Sequence, residues 1–247
     1  TGPGTRGLSL GESELIVSAN VDDLFYGQLT AALTPENEVE VEEAYVQTLG
    51  LPHGLNLRAG RFFSAIGYLN SQHPHAWDFV DTALVYRALL ANQYGDDGVR
   101  LSWVAPTDLF VEIGGEWLRG ENFPAAGAAN DGQGAATLFA HLGGDAGASH
   151  AWRAGLSFLR ARADGRESGA LDTAPDAFTG DSRVAIADLV WKWSPDGNPR
   201  QTNFKFQTEY LWREEDGEFT ADLNSVNGPA VTDAYRATHS GWYAQAV

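Results

Sequence analysis

The chain has 247 residues, 43% of them hydrophobic and 20% charged, and its formal net charge is −17. This acidity argues against a nucleic-acid partner, because phosphate binding needs a basic surface. The absence of cysteine excludes disulfides, thiolate metal sites and a cysteine nucleophile.

Hydrophobicity alternates with period two along most of the chain, which predicts strands. Eleven strands are expected: Glu12–Asn20, Leu24–Leu33, Val39–Leu49, Leu55–Arg61, Val99–Val104, Leu109–Arg119, Ala135–Leu142, His150–Arg160, Arg183–Trp193, Thr202–Glu214 and Gly241–Val247. Several reach about ten residues, the length that a tilted membrane strand requires. No run approaches the ~20 apolar residues of a membrane helix. The alternatives are therefore a soluble β-protein and a membrane β-barrel.

The connections between these strands alternate between short and long. The short ones are Val21–Asp23, Gly50–Gly54, Ala105–Asp108, Gly143–Ser149 and Ser194–Gln201. The longer ones are Thr34–Glu38, Phe62–Asp97, Gly120–Gly134, Ala161–Ser182 and Glu215–Ser240. Short turns at one end and long loops at the other are typical of an outer-membrane barrel, whose turns lie on the periplasmic side.

The two faces of the predicted strands differ in the way that a barrel requires. In Leu109–Arg119, Ile113 and Trp117 share one face, while Glu112 and Glu116 share the other. Aromatic residues lie near strand ends on the apolar face, as in the two girdles of a barrel. They are Trp103, Trp117, Trp152, Trp191, Trp193, Tyr210 and Trp212. A soluble sandwich with these aromatic residues in its core is the minority alternative.

We therefore predict an all-β fold, a transmembrane antiparallel up-and-down β-barrel in one domain spanning residues 1–247. Eleven is an odd number, whereas bacterial single-chain barrels have even strand numbers. The segment Ser240–Val247 also begins a strand without a closing sequence. We expect twelve or more strands, with further sequence beyond this chain, and a long extracellular loop at residues 62–97.

Four stretches resemble a family of Gram-negative outer-membrane proteins: Leu57–Asn70, His73–Asp81, Asn92–Asp108 and His150–Ala161. These proteins are porin-like barrels, distantly similar to phosphate-selective porins, and some members are labelled zinc-regulated TonB-dependent outer-membrane receptors. The resemblance implies a location in the outer membrane of a Gram-negative bacterium. No globular plug domain or TonB-contact segment is recognisable, so we expect a passive pore rather than energised transport.

The long loop contains a candidate metal site. His73 and His75 flank Pro74 and are followed by Asp78 and Asp81. Imidazole and carboxylate groups at this spacing predict binding of a divalent cation, Zn²⁺ or Ca²⁺. The alternative is that these side chains bond to the loop backbone and pack it against the wall. His53 falls in a turn at the opposite end of the barrel and should not join the site.

The same loop contains a predicted helix over Ala83–Ala91. Asp81 and Thr82 are candidate N-terminal caps, and Asn92 and Gly95 would end the helix. A helix inside a long loop can fold inward and narrow a pore, or it can lie on the outer rim as a lid. The inward arrangement is favoured.

The polar faces of the strands predict a charged lumen. The basic members are Arg58, Arg100, Arg153, Lys192, Lys205 and Arg213. The acidic members are Glu14, Glu43, Glu112, Glu116, Asp188 and Glu209. Facing charges across a channel produce a transverse field and ion selectivity. They can equally pair to rigidify a filled barrel, and both alternatives stay open.

The sequence favours transport over catalysis. No nucleophile-elbow pattern surrounds a serine. The adjacent carboxylates Glu42-Glu43, Asp96-Asp97 and Glu214-Glu215 should point to opposite faces of their strands. We therefore predict no enzymatic activity and no required cofactor.

Three hypotheses follow for function. The first is a channel for passive diffusion of small hydrophilic solutes or ions. The second is an outer-membrane receptor linked to uptake of a divalent metal such as zinc. The third is a structural or adhesive surface barrel. Expected partners are outer-membrane lipid, lipopolysaccharide and a small hydrophilic solute. Whether the protein forms a homo-oligomer stays open, because no strand is recognisable as a subunit interface.

Overall fold

The computed structural model describes residues 13–34, 38–126, 133–168 and 174–247. These residues form eleven strands: β1 Ser13–Asn20, β2 Phe25–Leu33, β3 Val39–Thr48, β4 Leu55–Phe63, β5 Gly95–Val104, β6 Phe110–Leu118, β7 Ala135–Ala146, β8 His150–Ser168, β9 Asp176–Trp193, β10 Phe204–Ala221 and β11 Val231–Ala246. One α-helix, α1, spans Leu84–Leu90, and three 3₁₀ turns span Pro52–Gly54, Pro74–Ala76 and Pro195–Gly197. None of the helices in these ranges has the length and apolar character needed to span a membrane.

Each strand pairs with the next strand of the chain, so the sheet order is β1 to β11 without a crossover. Every pairing is antiparallel. This arrangement confirms the predicted all-β, up-and-down architecture. All eleven predicted strands are found. The expected total of twelve or more is not reached within the described residues, where β1 and β11 are the edge strands.

The sheet curls around the segment between β4 and β5. We call this segment, residues 64–94, the inserted loop. Its His75 contacts Glu14 on β1, with Nδ1 and Oε1 3.1 Å apart. Its Asp78 accepts a hydrogen bond of 2.9 Å from Gln245 on β11. Since neighbouring positions of one loop reach both edge strands, the concave face of the sheet surrounds the loop.

The convex face of the sheet is apolar and exposed. Leu138, Leu156 and Trp242 retain 66%, 67% and 70% of their accessible surface. Glu116 and Glu209, on the concave face, are each only 1% exposed. A water-soluble protein buries its apolar side chains, whereas a membrane barrel turns them toward lipid. The distribution is that of a transmembrane β-barrel wall.

The apolar band on the convex face covers only part of the longest strands. On β8, β9 and β10 the band comprises residues 152–158, 185–191 and 206–212, which lie side by side. The next convex positions are charged: Arg160 pairs with Arg183 across β8 and β9. This change from apolar to charged side chains marks the level at which the strands leave a bilayer.

Strand extension beyond this level corrects two predicted loops. The long connections expected at Ala161–Ser182 and Glu215–Ser240 are largely strand, because β8 continues to Ser168 and β10 to Ala221. The charged convex face broke the apolar alternation from which the strands were predicted. The backbone ladder nevertheless continues there, since antiparallel pairing does not need a lipid-facing side chain.

We expect Leu156→Arg to destabilise the barrel in phospholipid vesicles by about 2–4 kcal/mol, the cost of an arginine on the lipid face near the bilayer midplane. Asp164→Arg is the matched control, because it changes an exposed residue of the same strand beyond the apolar band. The free energy of unfolding in urea measures both. Equal values for the two variants would contradict a lipid-facing wall.

Candidate functional site

The inserted loop begins and ends at a closed neck. The Ser64 amide donates a hydrogen bond of 3.0 Å to the Tyr94 carbonyl. The Asn70 side chain lies between them: its Nδ2 donates to the carbonyls of Ser64 and Tyr94 at 2.9 and 2.7 Å. Its Oδ1 accepts from the Tyr94 amide at 2.7 Å. Asn70 is 1% exposed, so the loop leaves and rejoins the wall at one fixed point.

A buried carboxylate on β6 holds the first residues of the loop. Glu116 accepts hydrogen bonds from the Ala65 amide at 2.9 Å, from the Ser64 hydroxyl, and from the Thr137 hydroxyl at 2.7 Å. Arg100 lies 3.9 Å away. Charge-assisted bonds of this kind are about twice as strong as neutral ones. Glu116 therefore anchors the loop entrance to the wall.

A second buried carboxylate, on β10, holds the loop at two further points. Glu209 accepts hydrogen bonds from two loop amides, those of Tyr68 at 3.0 Å and Leu69 at 2.9 Å. It also accepts from the hydroxyls of Tyr86 at 2.7 Å and Tyr243 at 2.6 Å. One side chain thus joins the loop backbone and α1 to β10 and β11.

Apolar packing fills the space between these two carboxylates. The loop contributes Ile66, Leu69, Val85, Tyr86, Leu89, Leu90 and Tyr94 to a buried cluster. Residues from several wall strands pack against them, and four of these are Leu159, Val184, Ile186 and Leu211. Each of these four is at most 2% exposed. The lumen on this side of the barrel is a packed core rather than open water.

The structure places α1 inside the barrel, in the favoured inward arrangement. Its buried face is Val85, Tyr86, Leu89 and Leu90. The predicted N-terminal caps are wrong, because the N-cap is Ala83 without a side-chain bond. At the C-terminal end Ala91 and Asn92 are both left-handed, with φ 51° and 85°, and the Asn92 amide donates to the Tyr86 carbonyl at 3.3 Å. Arg213 caps the C-terminal end of the helix, because its Nη1 donates a hydrogen bond of 3.2 Å to the Leu89 carbonyl of the last turn.

The predicted lumen residues lie on the concave face, and most of them contact the loop or each other. Arg153 pairs with Asp188 at 3.3 Å and donates to the carbonyl of Gly67 at 3.2 Å. Glu112 pairs with His141 at 3.0 Å. Their role in selectivity stays a prediction.

Three of the basic lumen residues lie toward the end of the barrel with short turns. The Arg58 guanidinium stacks over the Tyr45 ring at 3.9 Å and donates to Gln47. Lys205 pairs with Asp78 at 2.7 Å. Lys192 lies opposite Lys205 in the β9–β10 register and is exposed. Cationic side chains therefore line the wall here.

The histidines of the loop meet carboxylates from the first strands. We call Glu14, Glu42, Glu43, His73 and His75 the histidine–carboxylate cluster. His73 Nδ1 lies 3.2 Å from Glu42 Oε2 and 3.8 Å from Glu14 Oε2, and His73 Nε2 lies 2.9 Å from Glu43 Oε2. The two imidazole rings stack with their centroids 5.6 Å apart. Three carboxylates thus surround one half-buried imidazole.

These contacts change the protonation of His73. Its pKa rises to about 10, because the carboxylates of Glu42 and Glu43 bond to the imidazolium and favour the charged form. Three carboxylates against one imidazolium leave an excess of negative charge in the cluster.

A β-bulge produces the cluster. Across β2 and β3, Thr30 pairs with Glu43 but Ala31 pairs with Val41, so Glu42 is the extra residue. The expectation that Glu42 and Glu43 point to opposite faces is therefore wrong, because both reach His73. A bulge re-aims side chains in this way, and bulges often occur near functional sites.

The other predicted ligands lie elsewhere. Asp78 accepts bonds from Lys205 at 2.7 Å and Gln245 at 2.9 Å, and Asp81 is exposed. Among the described residues, the ligand atoms that lie within 4.8 Å of one another belong to Glu14, Glu42 and His73. His53 is in the β3–β4 turn, as predicted, and its carbonyl accepts from Trp103 Nε1 at 2.9 Å.

The comparisons with known proteins give little functional information. No protein-family model matches the chain. A curated protein of Aquifex aeolicus (strain VF5), described as uncharacterized, is 32% identical over 257 residues, which cover 98% of this chain and 51% of that protein. The chain thus spans about half the length of the curated relative it matches.

A solved structure, OmpTdeltaL8, is a loop L8 deletion mutant of OmpT, an outer membrane protein of Vibrio cholerae. It matches with a TM-score of 0.48 and 12% identity over 95% of this chain and 88% of that one. The strand order, register and side-chain exposure of this chain itself establish its fold.

Proposed function

We propose that the chain forms one outer-membrane β-barrel domain that acts as a channel for small hydrophilic solutes or ions, narrowed by the inserted loop. One observation carries this proposal: the barrel wall has apolar side chains outside and charged side chains inside, and it surrounds a loop that is bonded to its inner face. The convex face is apolar, whereas the concave face holds Glu116 and Glu209, each bonded to loop amides. A loop fixed in this way constricts a pore without closing the whole cross-section.

The far side of the loop supports a remaining passage. An open hollow of about 780 Å³ lies there on the loop surface, and all the residues that border it are loop residues, including Trp77, Asp81, Arg87 and Gln93. Charged and amide groups on this side suit hydrated solutes, whereas the opposite side of the loop is packed against the wall. We propose that solutes pass along this surface of the loop, and we assign no enzymatic activity to the chain.

The same wall supports a location in the outer membrane. Lipid-exposed β-structure requires closed or protected strands, and barrels of this kind reside in outer membranes. We place the loop-bearing end outside the cell, with the short turns in the periplasm. The charged level that includes Arg160 and Arg183 supports contact with lipid headgroups and lipopolysaccharide.

Planar bilayer recording tests this function. The full-length protein, refolded in detergent and reconstituted, is expected to give ohmic single-channel currents in potassium chloride. Heat-modifiable migration in electrophoresis checks folding independently of conduction. Folded protein that inserts and never conducts would contradict the channel and favour the structural or adhesive barrel.

A metal-linked receptor is the second candidate, and the specific observation favouring it is the meeting of His73 with Glu14 and Glu42. This geometry supports binding of an ion at the loop, but it supplies no energised step for uptake. The passive channel therefore has the stronger support.

A further inference from the structure

Three potential ligand atoms converge where the inserted loop meets β1 and β3. They are Glu14 Oε2, Glu42 Oε2 and His73 Nδ1, all within 4.8 Å of one another. A tetrahedral ion with bonds of ~2.0–2.2 Å has ligand atoms about 3.4 Å apart. The measured separations from His73 Nδ1, 3.2 Å to Glu42 and 3.8 Å to Glu14, lie on either side of that value.

The burial of Glu14 is a second, independent observation. Its side chain is only 10% exposed, and its Oε2 has no hydrogen-bond partner among the described residues. A buried carboxylate oxygen without a donor is costly. Among those residues, the ion-pair partners of Glu14 and Glu43 are histidines, and no lysine or arginine lies within 4 Å of either carboxylate. This unsatisfied oxygen is one of the three potential ligand atoms and lies 3.8 Å from His73 Nδ1.

The surroundings of His73 fit a metal ligand as well. Its Nε2 lies 2.9 Å from Glu43 Oε2, which leaves Nδ1 facing Glu14 and Glu42. A metal ion at Nδ1 takes the place of the proton there, so binding releases that proton. Histidines that bind metals commonly direct the other ring nitrogen to a carboxylate, which orients the ring and raises its basicity. The bulge at Glu42 supplies the third ligand by turning that side chain to the concave face.

We propose that Glu14, Glu42 and His73 bind a divalent transition-metal ion, with Zn²⁺ as the reference ion, and that Glu43 positions His73. Imidazole and carboxylate are both zinc ligands, and three protein ligands leave the fourth position of a tetrahedral ion open. Ca²⁺ is disfavoured, since it takes six to eight oxygen ligands. This site goes beyond solute conduction, because it regulates the loop.

The regulatory consequence comes from where the ligands lie. His73 belongs to the inserted loop, whereas Glu14 and Glu42 belong to the wall. A bound ion therefore ties the loop to the first strands of the barrel, in addition to the Glu209 anchor on β10. Binding should reduce motion of the loop around residues 73–77.

Isothermal titration of the full-length chain in detergent with Zn²⁺ tests the site. One equivalent is expected to bind to the wild type, and His73→Ala should abolish this binding. Glu14→Gln, close in size, should weaken it at least ten-fold, and Glu43→Gln by about 10–100-fold, as for other outer-shell partners. His239→Ala, an exposed histidine on β11, is the matched control and should bind like the wild type.

A second measurement separates binding from folding. Hydrogen exchange at residues 73–77 should slow on addition of Zn²⁺ in the wild type and in His239→Ala, but not in Glu14→Gln. Heat-modifiable migration confirms that each variant is folded. Wild type that is folded yet binds no Zn²⁺, or one-site binding that persists in both His73→Ala and Glu14→Gln, would overturn the proposal. Neither result depends on whether the barrel conducts.

Discussion

Excision of residues 65–93, with Ser64 joined to Tyr94 through an Asn-Gly turn, is expected to raise single-channel conductance several-fold and to leave the wall folded. The design uses the neck of the loop, where the Ser64 amide already bonds to the Tyr94 carbonyl. Phe63 and Gly95 are paired across β4 and β5, so a two-residue hairpin preserves the register. Removing the loop opens the side of the lumen that it fills.

The same excision should lower the stability of the barrel. Leu159, Val184, Ile186 and Leu211 lose their apolar partners and face water in the shortened protein. Circular dichroism in the far ultraviolet should show that strand content is retained, and urea unfolding should measure the loss. Unchanged conductance with an intact wall would mean that the loop does not constrict the conducting path.

Glu209→Ala is expected to release the loop without removing it. Two loop amides and two tyrosine hydroxyls bond to this carboxylate. Each buried donor left without an acceptor costs ~1–3 kcal/mol. If part of this cost is relieved by water, docking of the loop weakens by about 4 kcal/mol, which raises the undocked population by roughly a thousand-fold. Conductance should rise and fluctuate, and the loop should become sensitive to protease.

The control for this substitution is Glu218→Ala, an exposed glutamate on the same strand. It removes the same number of atoms and the same formal charge from a part of β10 that lies beyond the loop. Steady conductance like that of the wild type is expected. Noise of equal size in both variants would show that the fluctuation comes from net charge or from the strand, not from the Glu209 anchor.

Much of the wall was predictable because lipid and lumen impose opposite demands on alternate residues. Ile113 and Trp117, predicted to share the apolar face, are about half exposed on the convex side, while Glu116 is buried on the other. The prediction ended too early on β8 and β10, because the charged residues beyond the bilayer level remove the pattern while the backbone pairing continues.

The candidate cluster was only half predictable. Spacing alone identifies His73 and His75, but it also groups Asp78 with them, whereas Asp78 bonds to Lys205 and Gln245. Such long-range partners leave no mark in a local pattern. The bulge at Glu42 does leave such a mark. Apolar residues occupy odd positions at Val39 and Val41 but even positions at Ala44 and Val46, and this change in the alternation indicates a bulge.

The reach of the inserted loop has a consequence for the order of folding. Asp78 bonds to residues 127 and 167 positions further along the chain, and Tyr68 bonds to Glu209 across 141 positions. Contacts that close such long segments form late, because the entropy lost in closing a segment increases with its length. Hairpins between neighbouring strands close much shorter segments. We therefore expect the wall to assemble first and the loop to dock last, so that a newly inserted barrel passes through a transient, more permeable state before it reaches its final conductance.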